Sequence, residues 1–291
     1  MQNLAITQAL KSSGANIGFR LHHAAQSGDK DLVQELLASG IAASLADDRG
    51  FTALHVASAN GQLAVASLLM KHSNVADIIN CTTKDTASTP LHLAVHPGYT
   101  GLVQLLLDSG ANELAINING QSCLHIAAMA GHQEVTAIIL SHAAEDMAMC
   151  EQLVNMSDKK SMTGLLLAAR SGHAEISVLL IEHGANSQVT DSLGNSALHL
   201  TAMAGHLQCA KSVVSQGAPL HLNNSEGYAP LHLATQAGHH PVVLYLLKVG
   251  AKPSMPTSKG QTPVMLAAAN GHMPILHELL KAGEWIILLS I

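Results

Sequence analysis

One phrase recurs eight times along the 291 residues, and its interval constrains the fold more than any other feature. It is a leucine, usually followed by histidine, then a pair of small residues and a glycine. It reads RLHHAAQSG from Arg20, ALHVASANG from Ala53, PLHLAVHPG from Pro90 and CLHIAAMAG from Cys123. It continues as GLLLAARSG from Gly164, ALHLTAMAG from Ala197, PLHLATQAG from Pro230 and PVMLAAANG from Pro263. The anchors Leu21, Leu54, Leu91, Leu124, Leu165, Leu198, Leu231 and Val264 stand 33, 37, 33, 41, 33, 33 and 33 residues apart. One period held in register predicts a stack of small helical units rather than a single closed core.

Each unit carries a second apolar run with helical spacing, such as LVQLLLDSGAN from Leu102 or ISVLLIEHGAN from Ile176. A unit therefore reads as helix, short turn at glycine, second helix and stop. The stop glycines Gly40, Gly110, Gly184, Gly217, Gly250 and Gly283 suit the left-handed position that closes a helix. Turn formers such as Asp191 to Ser196 and Asn224 to Ala229 follow, and predict a hairpin-like connection. Aromatic residues make up only 2% of the chain, so packing falls to Leu, Ala, Val, Ile and Met, as in closely packed helices.

The phrase resembles the G-x-TPLHxAA…GH…LLL…GA signature of ankyrin repeats over residues 19–283. The resemblance implies an all-α solenoid of antiparallel helix pairs with short β-hairpin connections, stacked so that neighbours bury what one repeat cannot. It also implies that the histidines of the phrase (His22, His55, His92, His125, His199 and His232) and those after the turn glycine (His132, His173, His206, His239 and His272) are structural.

The array departs from its own pattern in places. Repeats two and four have Ser73 and Ala143 where the stop glycine belongs. Longer connections follow, near residues 74–86 and 143–161. In repeat four the extra residues precede the hairpin and predict a longer outer helix, with Met147 to Leu153 helical. Repeat five reads TGLLL from Thr163 in place of TPLH, so residues 143–163 are the expected hinge. Residues 1–18 read as a half-repeat or cap, and 284–291 as an apolar tail.

Several chemistries are excluded. Fourteen basic against twenty acidic residues give a net charge of −6, which argues against nucleic acid as a partner. Cys81, Cys123, Cys150 and Cys209 lie too far apart for a CxxC site. Ladder histidines about 10 Å apart cannot share a zinc ion that needs ligands within about 2.1 Å. The histidines ending outer helices, His72, His142 and His183, would offset the helix dipole. No GxSxG, GxGxxG or Walker phrase occurs, so no enzyme, cofactor or metal is expected. The amino-terminal residues lack the pattern of a secretory signal, and no apolar run spans a bilayer. A monomeric array in the cytoplasm or nucleus is the expectation.

What remains is a surface. In the resembled architecture two variable places face the concave groove: the hairpin tip, and the residues before the turn glycine. These slots hold Arg49, Phe51, Asn60, His96, Met129, Met162, Arg170, Asn195, Met203, Tyr228, Gln236, Lys259 and Asn270. Met129, Arg170 and Met203 are equivalents in consecutive repeats and predict an adaptable strip with a cation at its centre. A protein or peptide is the expected partner, held by an adaptor. Alternatively, the array is a regulatory or tethering segment of a larger protein such as a channel or enzyme.

Overall fold

In repeats two, three, four and six the inner helix begins at the anchor phrase because a hydroxyl residue and a histidine close its first turn together. In repeat two the backbone N–H of Thr52 donates to His55 Nδ1 at 3.1 Å, and the Thr52 hydroxyl lies 2.9 Å from the same nitrogen. Thr89 with His92, Ser122 with His125 and Ser196 with His199 repeat the arrangement. Proline at the first helical position (Pro90, Pro230 and Pro263) adds a preset φ where its missing N–H costs nothing. Repeat five keeps half of the cap: Thr163 accepts from the Leu166 N–H at 3.4 Å. Repeat seven, with Ala229, keeps the other half.

The computed structural model describes the backbone of residues 14–72 and 74–289, and the side chains of 19–72 and 74–283. The expected cap and tail lie largely outside the described side chains, as does Ser73. The chain forms two compact units. The first comprises residues up to 127 together with 134–146, and the second comprises 128–133 with 147 onward. The first holds the helix pairs Gly14–Ser27 with Lys30–Ala38, Ala53–Ala59 with Leu63–His72, and Pro90–Val95 with Thr100–Asp108. The second holds Gly164–Ser171 with Ala174–Glu182, Ala197–Ala204 with Leu207–Ser215, Pro230–Gln236 with His240–Lys248, and Pro263–Ala269 with Met273–Leu289. Repeat four (Cys123–Ala130 and Gln133–Ala143) contributes to both. Within each unit inner helix packs on inner helix and outer on outer.

The anchors Leu21, Leu54, Leu91, Leu124, Leu165, Leu198 and Leu231 are buried, and Val264 of the last repeat is half-buried. Alanines at the small-residue pair (Ala57, Ala94, Ala127, Ala168, Ala202, Ala234 and Ala267) are fully buried, which lets inner helices approach closely. The connections are tight hairpins, with backbone bonds such as Asp47 N–H to Phe51 O at 2.8 Å and Asp191 N–H to Asn195 O at 3.0 Å. Their first residue also caps the loop, as Asp47 Oδ1 accepts from Arg49 N and Phe51 N.

Three expectations need correction. The extra residues of repeat four do not lengthen the outer helix: that helix ends at Ala143, and a turn to Asp146 precedes a separate helix, Met147–Asn155. Gly283 is not a stop, because the last helix runs through it from Met273 to Leu289 without a left-handed residue there. The helix-ending histidines do more than offset a dipole, since His142 Nδ1 bonds the buried Glu113 carboxylate and His183 Nδ1 the Leu179 carbonyl. The other five stop glycines have φ between 85° and 100° with open space around them, so backbone conformation alone requires glycine there.

The inserted connections carry a device that the sequence did not reveal. Asn80 donates to Gly110 O at 3.2 Å and accepts from Asn112 N at 2.8 Å. Asn155 does the same with Gly184 O at 3.1 Å and Asn186 N at 2.8 Å. Each long connection is thereby tied to the stop of the next repeat.

Candidate partner-binding surface

The phrase histidines face inward. His55, His92, His199 and His232 are buried, and Nδ1 of each accepts a main-chain N–H, which leaves the proton on Nε2. That Nε2–H reaches a carbonyl of the next connection: Cys81 at 3.0 Å, Gln121 at 3.0 Å, Tyr228 at 2.9 Å and Met255 at 2.8 Å respectively. Burial, the largest effect, lowers all four pKa values, that of His55 to about 4. Both nitrogens are thus committed to protein groups. Among the described residues no group of three or more His, Cys, Asp or Glu side chains could hold a metal ion. Burial also pushes the thiols of Cys81, Cys123, Cys150 and Cys209 up, which disfavours the nucleophilic thiolate.

The second histidine set builds the surface. In the second unit His173, His206, His239 and His272 lie with Nε2 at 3.3, 3.2, 3.0 and 3.2 Å from the carbonyls of Met129, Arg170, Met203 and Gln236. A carbonyl can only accept, so each imidazole donates. The predicted strip is therefore one structural row whose backbone is pinned, repeat by repeat, from behind. Its side chains face out: Arg170 and Gln236 are exposed, Met203 is 45% exposed and Met129 is half-buried. In the first unit Gln62 takes the histidine's place and donates to Gln26 O at 3.1 Å.

The other predicted residues divide. Arg49 is exposed at a hairpin tip, donates Nε–H to Asp85 at 2.8 Å and lies 5.2 Å over the Phe51 ring. Phe51, half-buried, also meets His55 edge-on. Asn60 and Asn270 are exposed, and each spends its amide on its own helix end, bonding Val56 O and Leu266 O at 2.8 Å. Tyr228 is half-buried, edge-on to His232, with its hydroxyl 3.4 Å from Gln261. Lys259 is an exposed tip and His96 is exposed.

Met162 and Asn195 are corrections. Met162 is 4% exposed and Asn195 5%, so neither faces a partner. They sit on the inner leg of the hairpin, two residues beyond the tip. Asn195 donates to Asp191 Oδ2 at 3.1 Å and accepts from Asn224 at 2.9 Å, tying two hairpins together. The tip is the residue just before the hairpin glycine. By that rule Leu193, 61% exposed, belongs to the surface and was missed. The dipeptides Arg49-Gly50, Leu193-Gly194, Glu226-Gly227 and Lys259-Gly260 would have marked the register.

A family model described as ankyrin repeats (three copies) matches residues 2–80, 21–117, 76–149, 140–224 and 202–287. The chain is 39% identical over 131 residues to a protein of Oryza sativa subsp. japonica named Probable E3 ubiquitin-protein ligase, covering 44% of this chain and 28% of that one. It is 32% identical over 147 residues to neurogenic locus notch homolog protein 1 of Xenopus laevis, 50% of this chain and 5% of that one. Over 121 residues it is 30% identical to the human transient receptor potential cation channel subfamily A member 1, 42% of this chain and 10% of that one. The chain thus spans less than a third of each of these relatives.

Proposed function

Since the chain belongs to the ankyrin-repeat family, whose repeats bind proteins, we propose that it is a non-catalytic adaptor that holds its partner along the row Met129, Arg170, Met203 and Gln236. The single observation that carries this reading is the row itself. A guanidinium and two thioethers occupy outward positions whose main chain is fixed by His173, His206 and His239. The scaffold asks nothing of these side chains, and exposed apolar groups cost solubility unless something covers them. Methionine adapts its shape to a partner, and arginine is a frequent anchor of interfaces. Leu193, Glu226 and Lys259 at the hairpin tips form the second edge of the same surface.

The alternative is that the array is a regulatory or tethering segment of a larger protein. The length of the matched relatives, among them an ion channel and a ubiquitin ligase, supports it. Both readings place recognition on the same row and exclude catalysis by these repeats. No helix among the described residues is long and apolar enough to cross a membrane.

A photoreactive residue tests the site directly. Met203→p-benzoylphenylalanine should cross-link a partner in cells, whereas the same residue at Lys211, on the outer helix Leu207–Ser215, should not. Equal cross-linking from both positions, or none from position 203, contradicts the reading.

A further inference from the structure

We propose a second docking site, on the outer helices of repeats seven and eight, that takes an acidic peptide segment with an aliphatic or aromatic anchor. A cavity of about 950 Å³ lies between His240–Lys248, Met273–Leu289 and the connection after Gly250. Leu244, Leu247 and Pro253 form its apolar part, and Lys248, Lys252 and Lys281 surround it. All three lysines are exposed, and Leu244 is 40% exposed at the mouth.

The repeat does not require this combination. At the position of Leu244 repeats six and eight carry exposed Lys211 and His277. At that of Lys248 repeats five and six carry Glu182 and Ser215, and at that of Lys252 they carry Asn186 and Pro219. An outer helix of this scaffold is therefore satisfied with a polar residue in place of Leu244 and with an acid in place of Lys248. Both features at one cavity point to something outside the fold.

Charge selects the occupant. Glu278 lies 3.4 Å from Lys281 Nζ and 3.6 Å from His277 Nδ1, so Lys281 is already partnered. Among the described residues Lys248 and Lys252 pair with no carboxylate. Two uncompensated ammonium groups beside an apolar recess, on a chain of net charge −6, complement carboxylates that flank an apolar side chain. The cavity is open to solvent rather than enclosed. A free acyl chain would keep one flank in water there, whereas a peptide can turn its polar face outward. The site is independent of the row around Met203.

Spectra of the isotope-labelled full chain, titrated with a synthetic peptide of glutamate and leucine in helical spacing, test the proposal. The amides of Leu244, Lys248, Lys252 and Lys281 should shift, and the glutamine-for-glutamate counterpart should bind at least about tenfold more weakly. Lys248→Glu with Lys252→Glu should weaken binding by a similar factor. Leu244→Lys, the residue that repeat six already carries, should remove the apolar contact without disturbing the fold. Arg170→Glu should change nothing, which separates this site from the proposed adaptor surface. The proposal is overturned if these amides do not move, if the glutamine peptide binds equally well, or if binding survives both the charge reversal and Leu244→Lys.

Discussion

Nε2 of His239 lies 3.0 Å from the main-chain oxygen of Met203, while its ring sits where a Cβ on Gly205 would meet Nδ1 at 2.6 Å. One imidazole thus bonds the residue before the turn of the preceding repeat and covers its turn glycine. His206 on Gly172 and His272 on Gly238 repeat the relationship. His239→Ala should lower stability by about 1–2 kcal/mol, through one lost hydrogen bond and lost packing. Gly205→Ala should cost about 1–3 kcal/mol, since φ is 78° and the ring blocks the methyl group. Denaturant unfolding measures both, and a Gly205→Ala protein as stable as the parent would contradict this packing.

Acid should loosen the array before its carboxylates titrate. The buried imidazoles of the phrase have pKa values lowered in the folded state, to about 4 for His55 against an ordinary 6.5. The unfolded chain therefore binds more protons between those values. Stability is complete above pH about 6.5 and falls as pH drops toward 4. For His55 alone the loss is on the order of 3 kcal/mol. Leu166, 1% exposed, fills the same position in repeat five, so leucine fits there. His55→Leu should flatten the profile between pH 7 and 5, measured as denaturation midpoints at each pH. An unchanged slope would mean that His55 titrates normally.

Two repeats keep a left-handed hairpin residue without glycine. Ala87 has φ of 52° and Ser161 of 59°, where Gly50, Gly120, Gly194, Gly227 and Gly260 occupy the equivalent position. A Cβ costs roughly 1–2 kcal/mol in that region, and glycine's greater unfolded freedom returns part of it. Ala87→Gly and Ser161→Gly should each raise stability by about 0.5–1 kcal/mol in thermal unfolding. Destabilisation by either would show that its methyl or hydroxymethyl group contributes more than the strain costs.

The period, the anchors and the helix ends were legible because each repeat buries the same face against the next, which forces the same residue types at the same spacing. The row Met129, Arg170 and Met203 was legible for the same reason, since its slot is set by the turn glycine. Met162 and Asn195 were misread because exposure on the hairpin depends on the neighbouring hairpin, and only two sequence positions separate a tip from a buried leg. The break between Ala143 and Met147 was invisible because Ala143 to Asp146 is built of good helix formers. Long-range bonds, which local propensity does not encode, tie Asn155 at the end of Met147–Asn155 to Gly184 and Asn186.

The expected hinge therefore narrows. Residues 147–155 are helical and anchored, and one of the three chain positions where the compact units divide follows Asp146. Limited proteolysis should cut first within Ala143 to Asp146, where Ala144, Glu145 and Asp146 are exposed. Asn155→Ala should extend early cleavage into the following helix. First cuts within repeats six or seven would place the weak point elsewhere.

The central claim is that partner recognition resides on the row pinned by the second histidine set. The direct measurement is quantitative capture from cell lysate by the parent chain, by Arg170→Glu with Met203→Ser, and by the outer-helix control Lys211→Glu. Exposed substitutions usually move stability by less than about 0.5 kcal/mol, so melting temperatures should agree within a few degrees. Reversing a charge within an interface and removing an apolar contact should cost at least about 2 kcal/mol, a loss of roughly thirtyfold or more in affinity. The account predicts that proteins held by the parent and by Lys211→Glu are lost from the double variant at unchanged melting temperature. Their retention by the double variant, or loss only in step with unfolding, would contradict it.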